Sequence, residues 1–283
     1  AGLMGRAIVY DLVHHTSFSE IIILDNDKSR LSDSKDFFSN ESTISYIAED
    51  VSDISKLEDV FSTVDIVISA VPYSFNERLT SLAINNHCHF IDLGGNNDVV
   101  GKQKEMFAEA EEANVTIIPD SGLAPGLVSI LTKKLVDEFG HLSSVRLRVG
   151  GLPQHPKKPW NYQLVFSANG LINEYVEDAI ILENGKIKTV SSLTQLEKIC
   201  FPEPFGDLEA FITSGGCSSL PLTYKNAIDY LDYKTIRYQG HLVQIKPLFD
   251  LGLDSEKEIN IGNKLVRPRS EEHTSELQSL LII

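Results

Sequence analysis

Two glycines and one aspartate near the start of the chain have the types and spacing that bind a dinucleotide. Ala1-Gly2-Leu3-Met4-Gly5 reads as the last five positions of G-x-G-x-x-G. An apolar helical pattern follows (Ala7, Ile8, Tyr10, Leu12), then a short buried strand, Ile21-Ile22-Ile23-Leu24, that ends in Asp25. Glycine turn, helix, strand and acid stand in the order of the dinucleotide fingerprint. Gly2 lets the backbone approach a pyrophosphate, and the helix N-terminus stabilises its charge. Asp25 is placed to accept hydrogen bonds from the adenosine ribose and to repel a 2′-phosphate, which favours NAD over NADP. Gly2, Leu3, Met4, Gly5 and Asp25 are the first cofactor-binding candidates. The plainer alternative is a helix that merely follows a glycine turn.

Ligands of an open α/β sheet lie beyond the carboxyl ends of its strands. The polar or glycine-rich segments at such ends are Asp50-Val51, Ala70-Val71-Pro72-Tyr73, Asp92-Leu93-Gly94-Gly95-Asn96-Asn97 and Asp120-Ser121-Gly122. Asp50, Val51, Ala70, Val71, Pro72 and Tyr73 extend the cofactor-binding set, with Tyr73 expected beside the nicotinamide. Asp92 and Asp120 are candidates for proton transfer. Asx turns and helix caps are the ordinary alternative for each aspartate. The eight histidines have no metal-ligand spacing, so no metal is expected. His14-His15 reads as a helix end, and His87 and His89 flank a strand start. His241, after Thr235-Ile236-Arg237-Tyr238-Gln239-Gly240, is the histidine that reads as a site residue. No Gly-x-Ser-x-Gly elbow occurs, which disfavours nucleophilic hydrolysis.

Strands and helices must alternate to place these residues. Strands are expected at 21–25, 44–48, 65–72, 89–93 and 115–119. Helices are expected after Gly5, near 57–61, near 76–86, over 102–114 and over 127–139. The helix at 102–114 presents Met106, Phe107, Ala110 and Ala113 on one side. The run Asp65-Ile66-Val67-Ile68-Ser69-Ala70-Val71 is continuously apolar after its first residue, as a parallel strand covered on both faces requires. The fold class is α/β: a Rossmann-type doubly wound parallel sheet, with its first strand missing from the sequence. After Gly140 the rhythm changes. Val145-Arg146-Leu147-Arg148-Val149 alternates, and Asn184-Gly185 between two apolar runs signals a hairpin. This part reads as an α+β domain with an antiparallel sheet. The expected division is 1–140 for the nucleotide domain and 141–268 for the substrate domain. From Arg269 onward the sequence resembles the translation of a DNA sequencing-library adapter, so 269–283 is expected to be foreign to the fold.

Composition limits the partners. The chain has 283 residues, 42% hydrophobic and 23% charged, with a net charge of −15. That charge argues against a nucleic-acid surface. No apolar run approaches the roughly 20 residues of a membrane span. Cys88, Cys200 and Cys217 have no paired or metal-like spacing, consistent with reduced thiols and a cytoplasmic location. A small-molecule substrate is the expected partner, with a homo-oligomer for the full-length parent.

Longer motifs carry a resemblance. Val71-Pro72-Tyr73, Asp92-Leu93-Gly94-Gly95-Asn96, Gly122-Leu123-Ala124-Pro125-Gly126, Gly150-Gly151-Leu152-Pro153, Tyr162-Gln163-Leu164-Val165-Phe166-Ser167, Gly170-Leu171-Ile172-Asn173-Glu174-Tyr175 and Thr235–His241 together resemble the saccharopine dehydrogenase-like enzymes. Phe201-Pro202-Glu203-Pro204-Phe205-Gly206 and Thr213-Ser214-Gly215-Gly216 are most similar to the L-lysine 6-dehydrogenase branch of that family. The resemblance spans nearly all of residues 1–268. It implies a Rossmann domain and a substrate domain with the active site between them. It also implies NAD-dependent oxidation of the ε-amine of L-lysine to ammonia and 2-aminoadipate 6-semialdehyde. Family members continue past Pro268, so part of the substrate domain is expected to be missing. On this resemblance Asp92, Asp120 and His241 are the base and orienter candidates, Arg237 is the carboxylate clamp, and Tyr162 and Gln163 bind substrate. The identity of the base stays open. A saccharopine reductase using NADP, a non-catalytic dinucleotide-binding module and an inactive fragment are the alternatives.

Overall fold

The computed structural model describes residues 1–164, 166, 168–262 and 264–269. The chain forms two compact units, Ala1–Gly122 and the residues from Leu123 onward. Nearly all of the stretch expected to be foreign, from residue 270, lies outside the described residues.

In the first unit α1 (Leu3–His15) leads into β1 (Ile21–Asp25), α2 (Lys28–Phe37), β2 (Ile44–Ala48), α3 (Ile54–Phe61) and β3 (Ile66–Ser69). A 3₁₀ turn (Tyr73–Phe75), α4 (Asn76–Asn85), β4 (His89–Asp92), α5 (Asn97–Glu105), α6 (Phe107–Glu112) and β5 (Ile117–Ile118) complete it. All pairings are parallel. β1 pairs with β2, and β3, β4 and β5 form a second sheet. The break between β1 and β3 falls where a doubly wound sheet has its first strand. Each sheet has its own core. Val9, Ile23, Leu31 and Phe38 pack under β1 and β2. Leu57, Phe61, Leu79, Leu82, Ala83, Cys88 and Phe90 pack against β3 and β4.

The helix expected over 102–114 is two helices. α5 starts earlier, because the Asn96 side chain caps it by accepting from the Val99 amide (3.0 Å). It ends at Met106, where α6 begins. Phe107 is 70% exposed and lies on no core face. Of the expected side Ala110 is buried, and Val100 and Gln103 are the buried positions of α5.

In the second unit α7 (Leu127–Phe139) precedes β6 (Leu142–Val149), α8 (Ala168–Val176), β7 (Ala179–Glu183), β8 (Lys186–Val190), β9 (Glu197–Cys200) and β10 (Asp207–Ile212). Then come α9 (Leu220–Tyr224), β11 (Ile228–Tyr238), α10 (His241–Asp250), β12 (Ile259–Ile261) and β13 (Lys264–Val266). The main sheet has the order β8-β7-β11-β10-β9. It is antiparallel except that β6 joins β11 in parallel, from Ile228↔Leu142 to Thr235↔Val149. The β7–β8 hairpin turns on Asn184 and Gly185, both at positive φ (54° and 68°), as an Asn-Gly turn of this type requires. α7 belongs to this unit: Val136 packs on the cluster of Val145, Leu182, Leu220, Ile228 and Leu231. The division therefore falls at Gly122/Leu123, ahead of α7, rather than at 140/141.

β11 is the long central strand and is buried along most of its length. Backbone passes close against it at Gly150, where an added Cβ would lie 2.6 Å from the Ile236 carbonyl oxygen. Gly150→Ala should therefore lower unfolding stability by about 1–3 kcal/mol through overpacking. Gly101→Ala, inside α5 with no atom near its added Cβ, should be neutral or raise stability by about 0.4–1 kcal/mol. Denaturant midpoints check both, and equal midpoints for the two variants would contradict the close approach.

Candidate functional site

The first unit carries the nucleotide-binding features. Gly2 caps α1 by accepting from the Arg6 amide (3.0 Å). A Cβ at Gly2 or Gly5 would meet no atom within 4 Å, so the ground before the helix N-terminus is open to a pyrophosphate. Leu3 and Met4 are exposed beside it. Asp25 closes β1. Its Oδ2 accepts from the Ala1 ammonium (3.0 Å) and its Oδ1 from the Asp27 amide (2.9 Å). Burial works to raise this carboxyl, but those donors and Arg30 outweigh it and hold it below its ordinary value. Asp50, beyond β2, accepts from the Ser52 amide (2.8 Å) and the Asn26 side chain (2.8 Å). These bonds, the Ser52 amide first, lower it to about 2. Asn26 thus ties the carboxyl ends of β1 and β2, with an ionised carboxylate on each. The residues present fit the adenosine half of a dinucleotide. Val51 and Val71 pack on the apolar core, while Ala70 and Pro72 are exposed. The Tyr73 ring lies against Gly95, 3.4 Å from where a Cβ would be.

Asp92 and Asp120 meet at the ends of β4 and β5. Asp92 is fully buried. Its Oδ1 accepts from the amides of Gly94 (2.7 Å) and Asp120 (3.3 Å), and its Oδ2 from Gln103 Nε2 (2.6 Å). Its backbone oxygen accepts from the Ser121 amide (2.7 Å). The same Gln103 amide group reaches Thr80 Oγ1 (2.9 Å). Asp92 is expected as base or orienter; its oxygens are engaged by donors and closed to solvent, and it holds the loops together, which is the place of an orienter. Asp120 is partly exposed and sits at φ 59°. Gly94, itself at φ 74°, must be glycine because a Cβ there would collide with Asp120.

The second unit holds a buried chain of polar groups. Arg237, near the end of β11, is 3% exposed. Its Nε donates to Tyr175 Oη (3.2 Å) and its Nη1 to the Ile236 carbonyl (3.0 Å). Its guanidinium lies 4.5 Å from the Tyr162 ring centroid. Tyr175 Oη is 3.0 Å from His241 Nε2, and His241 Nδ1 is 3.1 Å from the Trp160 carbonyl. A carbonyl only accepts, so Nδ1 carries the proton and Tyr175 donates to Nε2. Burial lowers His241 to about 4. His241 is likewise expected as base or orienter; neutral, buried and bonded at both nitrogens, it positions Tyr175, the orienter's role. Glu209, directly across from Arg237 in register, gives its oxygens to the amides of Gly240 (2.9 Å) and Leu242 (2.7 Å). It fixes the start of α10 and hence His241. Tyr162 Oη is buried without a hydrogen-bond partner among the described residues. Gln163 is exposed and does not join the cluster.

Glu174 is the residue the sequence reading undervalued. It lies on α8 beside Tyr175, within the electrostatic reach of Arg237, Tyr162 and Tyr233. Burial pushes its carboxyl up to about 7, against the pull of Arg237. The available signal was an acid beside Leu171, Ile172 and Tyr175 in the helical run Leu171-Ile172-Asn173-Glu174-Tyr175. No group of three His, Cys, Asp or Glu able to hold a metal occurs among the described residues, and no described helix is long and apolar enough to cross a membrane.

Glu174 and His241 make opposite demands on pH. Glu174 has an ordinary value of 4.5 and a folded value of about 7. Its contribution to stability is complete below 4.5 and lost as pH rises through 7. His241 goes from 6.5 to about 4, so its contribution is present above 6.5 and lost as pH falls through 4. The two offset each other between 6.5 and 4.5. Glu174→Gln removes one of them. The variant should lose stability across that window more steeply than the parent, by on the order of 1–2 kcal/mol. Parallel profiles from denaturant unfolding would contradict the assignment.

Known proteins resemble both units. Residues 1–118 match the family model described as the saccharopine dehydrogenase NADP binding domain, and residues 122–282 match the saccharopine dehydrogenase C-terminal domain. The saccharopine dehydrogenase [NADP(+), L-glutamate-forming] of Saccharomyces cerevisiae is 29% identical over 215 residues, covering 73% of this chain and 48% of that protein. The mitochondrial alpha-aminoadipic semialdehyde synthase of Rattus norvegicus is 24% identical over 207 residues, covering 70% of this chain and 22% of that protein. The solved apo saccharopine dehydrogenase (L-Glu forming) of Saccharomyces cerevisiae shares the fold, with a TM-score of 0.71 at 23% identity over 93% of this chain and 59% of that one. The chain thus spans about half or less of the length of these curated relatives. With both of its units matched in order, the chain belongs to the saccharopine dehydrogenase family of oxidoreductases.

Proposed function

We propose that the parent enzyme oxidises the ε-amine of L-lysine with NAD, releasing ammonia and 2-aminoadipate 6-semialdehyde. The observation that carries this reading is the charge inventory of the second unit. Of its buried cations, Arg148 is taken up by Asp232 (2.8 Å) and Glu197 (2.7 Å), and Lys234 by Glu197 (3.0 Å). Arg237 has no ion pair within 4.0 Å among the described residues and lies among tyrosines and the acid Glu174. One available guanidinium suits a substrate with one carboxylate. Saccharopine carries three, and each buried carboxylate requires a partner. The relatives' names favour saccharopine and NADP as the second reading. Against it stand Arg237 alone and the two carboxylates, Asp25 and Asp50, where a 2′-phosphate would need cations.

Each residue then has a role. Arg237 holds the α-carboxylate. Asp120, positioned by Asp92 through its amide, takes the proton from the ε-ammonium and passes it to solvent; it then takes a proton from the water that adds to the iminium carbon and returns it to the carbinolamine nitrogen. The nicotinamide ring of NAD supplies the hydride acceptor for the ε-carbon. Collapse of the carbinolamine expels ammonia and leaves the aldehyde. Gly2 and the N-terminus of α1 bind the pyrophosphate, Asp25 holds the ribose, and Tyr73 lines the nicotinamide pocket.

Steady-state kinetics on the full-length parent test the reading. kcat/KM should be higher for L-lysine than for saccharopine, and the reverse order would overturn it. Arg237→Ala should raise KM for lysine far more than for NAD, by an amount equivalent to roughly 2–5 kcal/mol. Asp25→Ser should erode the preference for NAD over NADP. Equal use of both cofactors by the unsubstituted enzyme would remove the basis for NAD.

A further inference from the structure

The C-terminal ends of α1 and α2 frame a small cavity in the first unit, at the opposite end of α1 from the pyrophosphate-binding glycines. Tyr10, His14, Phe37, Phe38, Asn40 and Glu41 line it, and its volume is about 180 Å³. Pockets for whole ligands run to roughly 300–1,000 Å³, so this one suits a single head group. The Tyr10 and Phe37 ring centroids are 6.4 Å apart and the rings are tilted by 59°, which makes an open corner. His14, one turn after Tyr10 on α1, stacks on the tyrosine ring at 4.1 Å and steadies it. Phe38 meets Phe37 edge-on at 4.8 Å and is itself buried in the core under β1 and β2. Tyr10 is 48% exposed and Phe37 59%, so a ligand can reach both faces of the corner from solvent.

The remaining groups set the sign of that ligand. No lysine or arginine lines the cavity, and the neighbouring Lys35 lies over the Tyr46 ring, 5.2 Å from its centroid. The Glu41 carboxylate has no hydrogen bond or ion pair among the described residues. Both helices end here, and a helix C-terminus carries partial negative charge. Aromatic faces, a carboxylate and two helix ends all favour a cation. A primary ammonium is compact and strongly hydrated, and an open corner of rings does not replace its water. A quaternary ammonium has no N–H to satisfy and can lay its methyl groups on the rings. We propose that this cavity binds the quaternary ammonium group of a small alkylammonium ion, with Tyr10 and Phe37 presenting their ring faces to it and Glu41 supplying the opposite charge. A free cation such as choline and a trimethylated lysine side chain carry this same group. The site does not depend on the reaction proposed above. α1 rises about 1.5 Å per residue, so its last turn lies about 15 Å from its N-terminus, and a cation there leaves the nucleotide end of the helix clear.

NMR titration of the full chain with tetramethylammonium, at ionic strength held constant with sodium chloride, tests the site. The ring resonances of Tyr10, His14 and Phe37 should shift to saturation, and the methyl protons of the bound cation should move upfield. Choline should bind at the same rings. Its neutral isostere 3,3-dimethylbutan-1-ol should bind at least about tenfold more weakly. Phe37→Ala and Glu41→Gln should each weaken choline binding about two- to fivefold. Choline binding tighter than Nα-acetyl-trimethyllysine amide identifies a free cation as the ligand, and the reverse order identifies a modified side chain. Absence of a saturable shift at these rings, equal binding of choline and the neutral isostere, or unchanged affinity in Phe37→Ala would overturn the proposal. The isostere comparison decides it even if a variant does not fold. Saturating NAD should leave choline affinity unchanged, and competition would place the cation in the nucleotide site and refute the assignment. Loss of lysine oxidation or of NAD binding in the parent would leave the cation site standing, because none of these readouts uses turnover.

Discussion

A guanidinium with almost no surface in water must be given acceptors by the protein, or it will not stay buried. Arg237 sets that requirement for the second unit, and the surrounding elements answer it. β11 is long and buried so that Arg237 emerges beside the sheet core. α8 brings Tyr175 to Nε, and the segment before α8 brings the Tyr162 ring beneath the guanidinium plane. His241 locks Tyr175 in the accepting orientation, Trp160 locks His241, and Glu209 fixes the helix that carries His241. The residue opposite Arg237 in the sheet is an acid, yet it is committed to α10 and not to the arginine. The cation is therefore held in place by neutral groups and is left with capacity for a further anion.

The buried charge of the first unit is handled in the opposite way. Asp92 accepts from two backbone amides and one side-chain amide, and it needs nothing more. It joins the ends of β4 and β5 and shapes the tight approach between Gly94 and Asp120. Asp92 is spent on geometry, whereas Arg237 has no ion pair among the described residues. The same comparison separates Arg148 from Arg237. Arg148 lies on the same sheet but is paired with Asp232 and Glu197, which makes it a brace.

Much of this was legible in the sequence. The strands of the first unit, from Ile21 to Ile118, follow from apolar runs bounded by turn residues, and the hairpin follows from Asn184-Gly185. Arg237 and Tyr162 were legible through long motifs, not through periodicity. What could not be read depends on partners distant in the chain. The burial of Gln103 on α5 depends on Thr80 and Asp92, its partners 23 and 11 residues away. The parallel pairing of β6 with β11 joins segments whose alternation alone does not select a neighbour. Asp92 and His241 have the residue types of proton-transfer groups, and only the count of their hydrogen bonds shows them to be saturated. Glu174 is absent from the expected site residues, because burial and proximity to Arg237 are properties of the fold.

Arg237 is a buried cation with no ion pair among the described residues and with capacity for an anion. A crystal structure of the chain with L-norleucine, refined with side chains free to move, tests that most directly. The α-carboxylate should lie within hydrogen-bond distance of Arg237 Nη2 and Tyr162 Oη, with the Arg237–Tyr175–His241 chain unbroken. Norleucine ordered elsewhere, with its carboxylate on other residues and the Arg237 cluster undisturbed, would contradict the account.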